Sequence, residues 1–341
     1  MTNENIHYVL PKVAVIILNW NGKEDTLECL ASVKKLDYTN YEIVLVDNGS
    51  IDGSEDAILE QYPDITFLQT DANLGYAGGN NVGIRWALKH DADYVLILNN
   101  DTIVDKYLLT HLVAAGVHDS QVGLIGPTNY YYNEPTKIWT IGAIINTPSH
   151  LGYKTIGDGD EDSKWNTAIE FDALIGSAML IHRKVFESIG LFDERFFLCY
   201  EELDFCARAR EVDYKCLFVP EAKIWHKVGS TLGEIMSPLR TYFIVRNRPL
   251  WAKKHLSWFV RKNLMKEHWL TVSRIVMPSL SLAAADAPLA KRLLWSFSSW
   301  LKTLRRNLAH PTKRATLIGL RDYYLGRFGN CPESIWKLQK K

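Results

Sequence analysis

The sequence predicts an α/β protein with a mostly parallel, doubly wound sheet and a helical, basic C-terminal extension. Three observations carry this. Short apolar runs rich in β-branched residues alternate with helical apolar spacing through the first third of the chain. Polar clusters stand where those runs end. Acidic and basic residues are segregated along the chain.

Val13-Ala-Val-Ile-Ile-Leu18 is unbroken, as a parallel strand covered on both faces must be. Residues 24–36 follow with Leu27, Leu30 and Ala31 at i, i+3 and i+4, one helical face. Tyr41 to Val46 reads as the second strand, Ile65 to Leu68 as a short third, 80–89 as a helix and Tyr94 to Leu98 as a fourth strand. A helix over 105–115 and a strand over Val122 to Ile125 continue the alternation, which implies right-handed crossovers. Further on, Phe171 to His182 reads as a strand, with a helix from about Arg183. Glu201 to Glu211 reads as a helix and Lys215 to Val219 as a strand. From 237 to 341 the chain is helical in tone, with Pro238, Pro249, Pro278, Pro288 and Pro311 as breaks.

At 341 residues, 47% hydrophobic and 23% charged, the composition is globular rather than disordered. The formal net charge of zero hides an asymmetry. Arg240 to Lys341 holds 21 Lys and Arg against 4 Asp and Glu, a net +17, and the preceding residues balance it at −17. Six of the 11 tryptophans lie in that basic segment. Cations interleaved with Trp and Leu suit a helix lying on an anionic membrane surface, whereas no nucleic-acid recognition module is evident. Ile275 to Ala285 is too short to span a bilayer and is interrupted by Pro278, Ser279 and Ser281. The opening MTNENIHYVLPK lacks the basic region and apolar core of a secretory signal. Five cysteines without C-x-x-C spacing argue for reduced thiols rather than a zinc ribbon or disulfide framework. These features together predict a cytoplasmic protein attached peripherally to the inner face of the membrane.

In open α/β sheets ligands bind beyond the carboxyl ends of the strands. Asn19-Trp-Asn-Gly22, Asp47-Asn-Gly-Ser50 and Asn99-Asn100-Asp101 all stand there. Each could be ordinary turn chemistry, but three in register point to a site. A nucleoside diphosphate needs a divalent cation, and hard cations favour carboxylate and amide oxygens. Asp101 would be the anionic ligand and Asn99 a weaker one; the alternative is a turn that caps the helix near Asp105. In Tyr200-Glu-Glu-Leu-Asp204-Phe-Cys-Ala-Arg208, Glu201 suits a helix N-terminus, and Asp204 and Arg208 are spaced to pair. Glu202 is left as a candidate general base for an acceptor hydroxyl. His226, in Ile224-Trp-His226, could complete a metal's coordination with a neutral imidazole.

The segments VAVIILNWNG (13–22), IVLVDNGSIDGS (43–54), NLGYAGGNNVGI (73–84), YVLILNNDT (94–102), FFLCYEELDFCARAR (196–210) and IWHKVGST (224–231) occur in this order. Together they resemble the family 2 glycosyltransferases with the GT-A fold, most closely the rhamnosyltransferase branch and related cell-surface polysaccharide enzymes. The resemblance covers about residues 12–250. It implies that Asp47 contacts the donor's nucleobase and that the backbone near Asn19 and Gly22 lines the same pocket. Asn73, Gly75 and the Gly78-Gly79-Asn-Asn81 turn would be the donor-binding loop, glycines admitting the ligand closely. Asn99-Asn100-Asp101 takes the D-x-D place, so that Asp101 would hold Mg2+ or Mn2+ with His226, and Glu202 takes the place of the catalytic base. Asn99 replaces the first aspartate and offers the cation less charge; Glu202 replaces the usual aspartate and is one methylene longer.

The implied reaction is transfer of one sugar with inversion, from deoxythymidine-diphosphate-rhamnose or a UDP-linked hexose, to a saccharide acceptor carried on a lipid. The implied organisation is a catalytic domain over 1–236, with a nucleotide-sugar half over 12–127 and an acceptor half over 128–236. A membrane-associating region over 237–341 follows. The Q-x-x-R-W signature of processive synthases is absent. Two other classes stay open, a nucleotidyltransferase and a non-catalytic sugar-nucleotide-binding or membrane-docking module. A dehydrogenase does not fit, because Gly75 and Gly78-Gly79 form no G-x-G-x-x-G after the first strand.

Overall fold

The computed structural model describes residues 10–145, 153–228, 237–277 and 289–339, without the side chains of 289–296. The chain divides into two compact units, Met1–Thr231 and Leu232–Lys341.

In the first unit β1 (Val13–Asn19), β2 (Tyr41–Asp47), β3 (Thr66–Gln69) and β4 (Tyr94–Asn99) run parallel, in the spatial order β3-β2-β1-β4. They are linked by α1 (Lys23–Val33), α2 (Ser54–Gln61) and α3 (Gly75–Lys89). There follow β5 (Thr102–Val104), α4 (Leu108–His118), β6 (Val122–Tyr131), β7 (Ile138–Thr140), β8 (Gly142–Ile145), β9 (Tyr153–Ile156), β10 (Ile169–Phe171) and β11 (Ala178–His182). The unit continues with α5 (Arg183–Ile189), α6 (Glu201–Arg210) and β12 (Lys215–His226). The main sheet has the order β10-β12-β6-β11-β4-β1-β2-β3, with β5 added to β12 and β7 to β6. It is parallel-rich but mixed: β11 runs antiparallel between β4 and β6, and β6 and β12 are parallel to each other.

Side chains alternate across β1, and the two faces have different partners. Val13, Val15 and Ile17 enter a buried core with Leu30 of α1, Ile58 of α2 and Leu112 of α4. Ile16 and Leu18 face α3, which approaches so closely that Gly83 and Gly79 lie against them. The sheet is therefore covered on both sides, as its unbroken apolar strands require.

Several elements differ from the sequence reading. The helix expected over 80–89 begins at Gly75, so Gly78 to Asn81 are helical and not a turn. The helix expected over 105–115 is shifted to Leu108–His118, preceded by β5. Phe171 to His182 is not one strand but parts of β10 and β11, which sit at different places in the sheet. The strand read as 215–219 runs on to His226 through a register irregularity between Val219 and Lys223, where Pro220 cannot donate to the ladder. Helix α2 has no counterpart in the sequence reading.

The second unit is helical: α7 (Pro238–His255), α8 (Trp258–Val276), α9 (Leu289–Ala309), α10 (Pro311–Tyr324) and α11 (Glu333–Gln339). Pro238 and Pro311 open helices, where the missing N–H costs nothing. Pro249 lies inside α7 and does not end it, and Pro278 and Pro288 fall outside the described residues. Tyr242, Phe243 and Trp251 of α7 are buried, and the Tyr242 hydroxyl donates to Asp322 of α10 at 2.9 Å. No helix among the described residues is long and apolar enough to cross a membrane.

Candidate active site at the strand ends

Asn19 and Asp47 are register partners at the ends of β1 and β2, both buried. Asn19 Nδ2 donates to Asp47 Oδ1 at 2.7 Å. The other carboxylate oxygen accepts from the Ser50 backbone N–H at 3.0 Å and from Gln69 Nε2 at 2.9 Å. Asn19 Oδ1 accepts from the Gly22 N–H, from the Thr26 hydroxyl and from Asn100 Nδ2 at 3.3 Å. Asn100 also donates to Thr26 Oγ1 at 2.9 Å. The first two polar clusters and the third are thus one hydrogen-bonded scaffold, with Asn100 a member of it. A Cβ on Gly22 would stand 2.5 Å from Asn100 Nδ2, which explains the glycine.

The glycines after β3 serve packing. A Cβ on Gly79 would meet Leu18 at 2.4 Å, and one on Gly78 would meet Leu74 at 2.8 Å. The close approach they permit within the chain is to strand and loop. Gly75 has φ +74°, and a Cβ there would stand 2.4 Å from the Phe197 carbonyl oxygen. That same carbonyl accepts from the Tyr76 N–H at 2.7 Å, satisfying one of the orphan donors at the start of α3. Asn73 Oδ1 accepts from the Gly75 N–H at 2.8 Å, and Asn48, which sequence reasoning passed over, accepts from the Leu74 N–H at 2.9 Å.

The segment held by α3 leads into α6. Phe197, Cys199 and Tyr200 all have positive φ, of 63°, 66° and 78°. Three non-glycine residues in that region within one short loop store strain of about 1–3 kcal/mol each. They deliver Glu201 and Glu202 to the first turn of α6. Further along, the predicted pair forms, Arg208 Nε standing 2.8 Å from Asp204. Glu201 is buried, and its Oε2 has no hydrogen-bond partner among the described residues. Burial pushes its carboxyl well above the ordinary range, and the charge of Glu202 adds to the effect. Tyr76, in the first turn of α3, lies within the electrostatic influence of both glutamates and of Asp101. Burial raises its hydroxyl far above the usual value, and the charges of Glu202, Glu201 and Asp101 act in the same direction. Its Oη donates to the Gly176 carbonyl at 2.5 Å, between β10 and β11.

Asp101 lies in the turn between β4 and β5, and His226 ends β12. Strand β5 pairs antiparallel with β12, placing His226 opposite Thr102, and the Lys227 N–H donates to the Asp101 carbonyl at 2.9 Å. As a result His226 Nε2 stands 3.0 Å from Asp101 Oδ1, both residues being buried. The Trp139 ring covers the imidazole at 4.7 Å between centroids, and Nδ1 has no hydrogen-bond partner among the described residues. Lys227 is anchored to α1 by Asp25 at 2.7 Å and by Glu28. Asn99, the other residue read as a ligand, ends β4, and its carbonyl accepts from the Thr102 hydroxyl at 2.6 Å.

A carboxylate oxygen and an imidazole nitrogen at this separation form a donor set acceptable to Mg2+ and better suited to Mn2+. Among the described residues no group of three or more His, Cys, Asp or Glu side chains is disposed to hold a metal. A cation held by these two donors would take its remaining ligands from phosphate oxygens and water, the usual habit of Mg2+ beside a nucleotide.

Comparison with known proteins agrees with this architecture. The glycosyl transferase family 2 model matches residues 14–190. The low-salt glycan biosynthesis hexosyltransferase Agl10 of Haloferax volcanii is 33% identical over 273 residues, covering 79% of this chain and 83% of the relative. The N-acetylglucosaminyl-diphospho-decaprenol L-rhamnosyltransferase of Mycobacterium tuberculosis is 27% identical over 298 residues, covering 78% and 94%. Among solved structures, the mannosyltransferase PcManGT from Pyrobaculum calidifontis, in complex with GDP-Man and Mn2+, superposes with a TM-score of 0.54. It is 18% identical and covers 94% of this chain and 89% of its own. That likeness is one of fold, the GT-A arrangement of a parallel-rich sheet between helices. With a family model spanning more than half of its length and a relative at one-third identity, the chain belongs to glycosyl transferase family 2.

Proposed function

We propose that the protein is an inverting, divalent-cation-dependent glycosyltransferase that moves one sugar, rhamnose from deoxythymidine-diphosphate-rhamnose, onto a saccharide carried on a lipid. The Asp101–His226 contact at the strand ends is the observation on which the reading rests, with Glu202 within electrostatic reach of the same region. A relative named as a rhamnosyltransferase acting on a diphospho-decaprenol acceptor supports the choice of donor and acceptor class.

In the proposed step Glu202 removes the proton of the acceptor hydroxyl as that oxygen forms its bond to the anomeric carbon. The bond from that carbon to the nucleoside diphosphate breaks on the opposite face, and the electron pair leaves with the phosphate oxygen. A divalent cation held by Asp101 and His226, with Asn99 beside them, would supply charge to offset the leaving diphosphate. Asp47, fixed by Asn19, Ser50 and Gln69, and the loop from Asn73 to Gly75 would hold the nucleoside end. The role of 237–341 in this reading is to keep the enzyme at the cytoplasmic face of the membrane, where a lipid-linked acceptor resides.

The test is nucleoside diphosphate release from deoxythymidine-diphosphate-rhamnose and from UDP-hexoses, with a polyprenyl-diphosphate saccharide as acceptor, with Mn2+ and with a chelator. Rhamnosyl transfer that the chelator abolishes, with inverted anomeric configuration in the product, is expected. Transfer only from a UDP-hexose would overturn the donor assignment, and chelator-resistant transfer the metal assignment.

A further inference from the structure

Helix α8 is embedded along one side only. Leu264 and Ile275, spaced eleven residues apart and so on one face, are buried within the second unit. The side facing away carries Trp258, Met265 and Trp269 at i, i+7 and i+11, with 64%, 48% and 69% of their surface exposed. Two large indoles and a thioether left in water along one stripe are unusual for a surface with no partner. Helical spacing puts Lys262 and Lys266 beside that stripe, both exposed. The helix has a single acidic residue, Glu267, which lies 3.3 Å from Arg248 of α7. Apolar rings in a row with cations alongside match the boundary between acyl chains and anionic headgroups. A second copy of this basic surface would bring like charges together.

We propose that α8 lies flat on an anionic bilayer, with Trp258, Met265 and Trp269 immersed at the headgroup level and Lys262 and Lys266 against lipid phosphates. The inference rests on the membrane role given above to 237–341 and assigns that role to one face of one helix.

The experiment is flotation of the full chain with vesicles of phosphatidylcholine alone and of phosphatidylcholine mixed with phosphatidylglycerol. Partitioning should require the anionic lipid and weaken as salt is raised. The double variant Trp258→Gln, Trp269→Gln should partition about tenfold less. Lys262→Gln with Lys266→Gln should lower binding to the anionic vesicles and reduce its salt dependence. A control pair on the first unit, Val117→Gln with Val212→Gln, 53% and 47% exposed, should bind as wild type does. Circular dichroism and vesicle-free donor turnover, unchanged in every variant, establish folding. Wild-type binding by the tryptophan pair, or equal binding to both vesicle types, overturns the proposal. So does a dimer, seen by light scattering, that the tryptophan substitutions dissolve. Absence of donor turnover in the wild type would instead refute the transferase reading, leaving flotation to decide the role of α8.

Discussion

Asp101 Oδ1 stands 3.0 Å from His226 Nε2, joining the turn after β4 to the last residue of β12. If the pair ligates the catalytic cation, the two substitutions should differ. His226→Gln removes a neutral ligand and is expected to raise the Mn2+ concentration for half-maximal activity by about 10–100-fold, with recovery at saturating metal. Asp101→Asn removes the anionic ligand and should not recover. Activity titrated against Mn2+ for both variants checks this; an unchanged metal dependence in His226→Gln would contradict ligation.

Glu202→Gln keeps shape and hydrogen-bonding size while removing the proposed base. A loss of about 10²–10⁴-fold in kcat is expected, with donor affinity nearly unchanged. Steady-state kinetics together with calorimetric binding of the nucleoside diphosphate separate the two effects. Near-normal turnover would remove Glu202 from the role of base.

How much of this was legible follows from where the information resides. Strands β1, β2 and β4 declare themselves because a strand buried on both faces must be apolar throughout. Helix α3 begins Gly-Tyr-Ala-Gly-Gly, a poor helical sequence that reads as a turn. Tertiary packing overrides the propensity: a Cβ on Gly79 or Gly78 would crowd Leu18 at 2.4 Å or Leu74 at 2.8 Å. Strand β5 has three residues and no period of its own, yet its pairing with β12 sets Asp101 beside His226. Spacing along the chain could not give that meeting, whereas the resemblance to a family could. Tyr76, Asn48 and Thr26 were missed for a related reason: each is an ordinary residue whose place follows only from what the fold brings to it.

Gly75 and Gly53 separate the two reasons for a glycine. Both have positive φ, +74° and +77°, but a Cβ on Gly53 meets nothing within 4 Å, whereas one on Gly75 meets the Phe197 carbonyl. Gly53→Ala should therefore cost about 1–2 kcal/mol, the conformational part alone. Gly75→Ala should cost about 2–5 kcal/mol, because the backbone of the loop before α6 must also shift. Urea unfolding of both variants measures the difference, and equal losses would mean that the contact with Phe197 is readily relieved.

Glu201 makes stability depend on pH, with a sign fixed by its burial. The residue is 4% exposed, and burial first, then the neighbouring charge of Glu202, holds its folded-state carboxyl value well above the ordinary 4.5; Tyr76 lies within reach of the same charges. Backbone N–H groups of Glu201 and Cys199 oppose the shift without cancelling it. The folded chain thus holds this proton more tightly than the unfolded chain. The stability it contributes is fully present below the unfolded value and is lost as pH rises through the folded one. Glu201→Gln cannot ionise and keeps an oxygen for the backbone donors. Its melting temperature relative to wild type should be nearly level at about pH 4 and should climb steadily in its favour toward pH 8. Thermal unfolding of both proteins across that range is the check. A difference that stays flat would show that Glu201 ionises alike in both states, and its burial beside the candidate base would then carry no electrostatic cost.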